Sequence, residues 1–131
     1  MVIPILLLII GGIVDFALML RRSEVVVNAA REGARIAVLP GYGQADVIAR
    51  VDAYLNEGIE AGASANSDTA MNETTVAVAV GPAVQAREVV VAYESSYLIL
   101  GPLMNVFGGG GFTADVTLTG RATMRVEVPG P

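Results

Sequence analysis

No cysteine and no histidine occur among the 131 residues. The first absence removes disulfides and thiolate metal ligands and leaves the redox compartment unreadable from cysteine usage. The second removes imidazole bases and the commonest zinc ligand. With Cys and His nucleophiles gone, carboxylates are the main catalytic groups left, and they are scattered along the chain. The expectation is a protein that is not an enzyme, with no cofactor and no metal. Lysine is missing too: all eight basic residues are arginine, against thirteen acids, for a net charge of −5. Such a balance avoids phosphate backbones and anionic lipid headgroups, so no nucleic-acid partner is expected.

What the chain has in excess is apolar surface, 53% of its residues, and the excess sits at the N-terminus. Met1 to Leu20 carries a single charge, Asp15, while the other twelve acids and all eight arginines lie beyond it. About 20 apolar residues cross a bilayer core, and this stretch reaches that length. A secretory signal peptide would instead show a basic start, a shorter apolar run and a small-residue cleavage site. The chain therefore reads as a mature or trimmed form in which Met1 is not the initiator. Arg21 and Arg22 follow the span, where the positive-inside rule would hold them in the cytoplasm; a basic leader ahead of Met1 would remove that conflict.

The apolar run flows without a turn signal into 21–39, and Pro40, Gly41 and Gly43 stop it. Pro4 is tolerated in the first turn of a helix. This predicts one helix over 1–40, with an apolar half 1–20 and a projecting half 21–40, followed by a head over 41–131. The fold class expected is α+β: the long helix, a second helix and a small, mainly antiparallel sheet. Val47, Ile48, Val51, Tyr54, Leu55 and Ile59 have helical spacing and predict the second helix over Gln44 to Ala63. Ser64 to Glu73 is polar and small and reads as an exposed loop. A period of two then predicts strands over 76–80, 87–93 and 115–128. Residues 97–107 are apolar but broken by Gly101 and Pro102, and stay open between a short helix and a loop. Gly108 to Gly111 reads as a linker, not a phosphate cradle.

Several residues invite a role in assembly. Ala29, Gly33 and Ala37 recur every fourth position, as do Ala30 and Ala34, and make a face that another backbone can approach. Asp15 is costly in an apolar setting and has two readings: pairing with Arg21 or Arg22 of an adjacent helix, or solvation at the apolar edge. Arg31, Glu32 and Arg35 are either an exposed helix pair or a docking point for the head or a neighbour. Gly11 and Gly12 weaken the helix, and either permit bending within a fibre or allow close packing. Asn72-Glu73-Thr74 fits the N-glycosylation acceptor pattern. Asp68 and Glu73 match no calcium-loop spacing.

Pro4, the run Gly12-Ile13-Val14-Asp15-Phe16 and above all the block from Asn28 to Arg35 resemble the TadE-like pseudopilins of the tight-adherence branch of type IV pili. The likeness covers about the first 40 residues; the Arg121 to Val128 segment is only loosely similar. It implies export by a pilus-type machinery, trimming by a prepilin peptidase, a stage in the inner membrane, and polymerisation through the N-terminal helix into an extracellular filament. A minor pseudopilin that initiates or tips another protein's pilus, and a single-span membrane protein with an adhesive head, are the alternatives. The family's basic leader, processing site and acidic residue ahead of Pro4 are not in this sequence.

Overall fold

Pro4 opens the first helix instead of breaking it, because an amide in the first turn has no intrahelical partner to lose. The computed structural model describes residues 2–76, 82–107 and 115–126. Helix α1 runs from Ile3 to Ala37, on the order of 50 Å at 1.5 Å per residue. Its last turn closes with the Leu39 amide donating to the Ile36 carbonyl, and Gly41 then takes a positive φ that side chains resist. Helix α2, Gln44–Gly58, starts where the Gly43 amide donates to the Asp46 carboxylate at 2.8 Å. A 3-10 turn at Ala63–Asn66 leads into the sheet.

Strands β1 (Ser67–Val76), β2 (Val84–Ser96) and β3 (Asp115–Arg125) form one antiparallel sheet in the order β1-β2-β3. A short helix, α3 (Leu100–Phe107), lies between β2 and β3. The helical layer covers one face of the sheet. Val89, Val91 and Tyr93 of the central strand are buried against Val26, Ala29 and Ala30 of α1 and against Val47, Val51 and Leu55 of α2. Alternation along β3 places Leu118, Ala122 and Met124 on the same face, with Thr119, Arg121 and Thr123 turned to solvent.

The α+β class stands, with two corrections. The second helix stops at Gly58, short of Ala63: Gly58 packs where a Cβ would come within 2.6 Å of Val25, and beyond it the chain turns away through Gly62 at positive φ, a conformation glycine accepts freely. The stretch read as a loop, 64–73, is a 3-10 turn followed by most of β1. It is an edge strand, so only Thr69, Met71 and their like on one face are half-covered, and polar residues are admitted throughout. The strand expected over 76–80 lies, past Val76, outside the described residues, as do the Gly108–Gly111 linker and the end of the last strand. The open segment 97–107 contains α3.

Candidate functional site

The two halves of α1 have opposite surroundings. From Val26 onward its small residues lie inside the head, with Ala29, Ala30, Gly33, Ala34 and Ala37 all buried. From Val2 to Leu20 the large side chains project outward: Val2 is 76% exposed and Phe16 63%, with Ile3, Leu7, Ile9 and Ile13 alike. A helix from Ile3 to Ala37 is long and apolar enough to cross a membrane.

Within this chain the small-residue face is packed by the side chains of its own head. A Cβ on Gly33 would stand 2.7 Å from Val51 and 3.2 Å from Val89, so α2 and the sheet fill the space that glycine leaves. On the far side, Gly120 of β3 brings the sheet against the α1 backbone, where a Cβ would meet the Val26 carbonyl oxygen at 2.5 Å. Ala29, Gly33 and Ala37 are thus taken up within the subunit.

Asp15 does not lie at a solvated edge here. It is 3% exposed, so it is not solvated. Its carboxylate accepts from the amides of Leu98 at 3.2 Å, Ile99 at 3.0 and 3.1 Å, and Leu100 at 2.6 Å, the donors that open α3. Those amides have no intrahelical acceptor, and the carboxylate complements the positive end of the short helix. A buried charge is thereby satisfied by several hydrogen bonds, as burial requires. Gly11 admits the same turn from one helical turn below: a Cβ there would lie 2.8 Å from Ile99, whereas one on Gly12 would find only Leu100 at 3.9 Å. Close packing is therefore the reading of Gly11 that the contacts support.

Arg22, the other expected partner of Asp15, reaches the head as well, donating to the Ser95 hydroxyl at 2.8 Å. Arg21 and Arg31 are exposed. Glu32 and Arg35 do pair, through two bonds of 2.7 and 3.1 Å, and Arg50 of α2 joins the same carboxylate at 2.8 and 3.1 Å. Hydrogen bonds from Arg35 first and Arg50 second pull the Glu32 carboxyl from 4.5 down to about 2. The pair is thus a clamp between α1 and α2. Arg87 of β2 donates to the Ala37 carbonyl and so caps the C-terminal end of α1. Asn72 is exposed, but on strand β1 opposite Glu88 and not in a loop. Pro4 is exposed on the free half of α1.

Sequence reading missed Arg50, Arg87, Ser95, Gly120 and the 98–100 amides. The unexplained buried charge at Asp15 was the one signal that could have pointed to a partner, and backbone amides leave no trace in residue types. Among the described residues no three His, Asp or Glu side chains gather closely enough to hold a metal ion.

The family model of TadE-like proteins matches residues 1–35, the stretch that carries the resemblance. No curated protein and no solved structure matches the chain. The match and the outward-facing apolar helix together fit a membrane-anchored, pilus-associated protein.

Proposed function

We propose that the chain is a structural pilin-like subunit that sits in the inner membrane through the free half of α1 and then polymerises through it into an extracellular, Tad-like filament. One observation carries this: the subunit buries its small-residue helical half itself and leaves most of the large apolar side chains from Val2 to Leu20 exposed. Burying such a stretch removes many hundreds of Å² of apolar surface, worth on the order of 10 kcal/mol before entropy is counted. A bilayer or a bundle of like helices supplies that burial; water does not. Pilus assembly machinery and a prepilin peptidase are the partners the TadE-like resemblance implies.

A second reading, a minor pseudopilin that starts or tips a fibre of another subunit, is favoured by Asp15. Its carboxylate is already engaged by its own chain, so the free half of α1 offers neighbours no spare charge to fix their register. Single cysteines introduced at Ile9 or Ile13 separate the two. In cells, oxidative cross-linking of Ile9→Cys into disulfide-linked dimers of this chain, with filaments seen by electron microscopy, supports the polymer. No such dimer, with filaments that contain few copies of this chain, supports the minor role.

A further inference from the structure

The head does not stop where the apolar half of α1 begins. Strand β2 ends at Ser96, and Ser96 pairs with Asp115 of β3 at the level of Arg22, which holds Ser95 and Ser96. From Ser96 the chain descends along α1. Leu98, Ile99 and Leu100 meet Asp15, about two helical turns below Arg22, and Ile99 reaches Gly11, one turn lower still.

At 1.5 Å per residue, Asp15 lies roughly 8 Å and Gly11 roughly 14 Å below Leu20 along the axis. Half a hydrocarbon core is about 15 Å. If α1 is embedded to Leu20, this turn is embedded beside it. The sequence agrees, because the 20 residues from Ser95 to Ala114, between Glu94 and Asp115, contain no charged side chain in a chain that has 21. The surface agrees as well: Leu98 is 63% exposed and Val106 77%, with nothing of the head over them among the described residues. The backbone donors that open α3, which lipid leaves unsatisfied, are the ones that Asp15 accepts from.

We propose that residues 97–107, with Leu98–Leu100 and α3, form a second membrane-inserted element: a wedge that enters the acyl chains of the leaflet adjoining the head, pinned to α1 by Asp15. This rests on the membrane-held state proposed above. The occupant of the exposed Leu98 and Val106 surface is therefore lipid chain.

The absence of native cysteine makes the test direct. Full-length single-cysteine variants Phe16→Cys, Leu98→Cys, Val106→Cys and Thr119→Cys carry an environment-sensitive fluorophore in phosphatidylcholine vesicles. They are probed with nitroxides attached to lipid chains and with aqueous iodide. The expected result is a blue shift and lipid-nitroxide quenching at positions 16, 98 and 106, with loss of iodide quenching, while position 119 stays open to iodide. Lipid quenching at 16 with iodide access at 98 and 106 overturns the wedge and leaves the anchor standing. Iodide access at 16 removes the membrane-held state, and the wedge with it. Shielding at 98 and 106 that is insensitive to lipid nitroxide and vanishes on dilution with lipid assigns the surface to a second copy and overturns the lipid assignment.

Discussion

Gly120 stands directly against the Val26 carbonyl, so close that any Cβ at 120 would sit 2.5 Å from that oxygen. The obstacle is helix backbone and cannot rotate aside. Gly120→Ala should therefore push β3 off α1 and cost about 1–3 kcal/mol, the range for overpacking a core. Chemical denaturation of the full chain in detergent micelles measures this, and an unchanged midpoint would show that the helix and sheet pack less tightly than described.

Gly11 and Gly12 are neighbours with opposite fates. Alanine favours a helix over glycine by about 1 kcal/mol. At Gly12 the added methyl meets only Leu100 at 3.9 Å, so Gly12→Ala should stabilise or leave stability unchanged. At Gly11 it meets the β-branched Ile99 at 2.8 Å, and the contact should outweigh the helical gain. Thermal melting of the two variants side by side tests the difference in sign.

Asp15→Ala leaves the Leu98, Ile99 and Leu100 amides without an acceptor. A hydrogen bond to a charged group contributes roughly 1.5–3 kcal/mol. Amide hydrogen exchange at 98–100 should accelerate by one to two orders of magnitude on that basis, with Asp15→Asn intermediate because its single carbonyl oxygen retains part of the set. Exchange at the same rate as the parent would mean that α3 is held by its apolar contacts alone.

Glu32 gives the fold an acid limit. Its folded pKa lies near 2, below the ordinary 4.5, so its contribution is complete above about 4.5 and disappears as pH falls toward 2. Arg35 and Arg50 are about half exposed, and solvent screening keeps the contribution of the clamp small. Glu32→Gln should melt earlier than the parent at neutral pH, and the gap should close in acid. A gap that persists at pH 2 would assign the loss to packing and not to charge.

The sequence was most legible where a pattern has a period. The apolar half of α1, the helical spacing of Val47, Val51 and Leu55, and the alternation of Ala122 with Thr123 each announced an element that the structure contains. It was least legible at edges and at joins. Thr69 and Met71 are covered on one face only, and the polar residues around them read as loop. The Ala29–Gly33–Ala37 face is buried within the chain, and residue size does not say whether what covers such a face belongs to the same chain. Asp15 announced a need for donors, and the donors were main-chain amides, which every residue but proline possesses.

Asp15 and Arg22 are seven residues apart, two turns along the same side of α1, and each grips the head at a separate point. Two fastenings on one shaft forbid swivel. The azimuth of the head about the stem is thereby locked, so any twist imposed on the stem by its surroundings is passed undiminished to the sheet. In an array of such subunits, the direction in which every sheet faces would be dictated by how the stems rotate against one another.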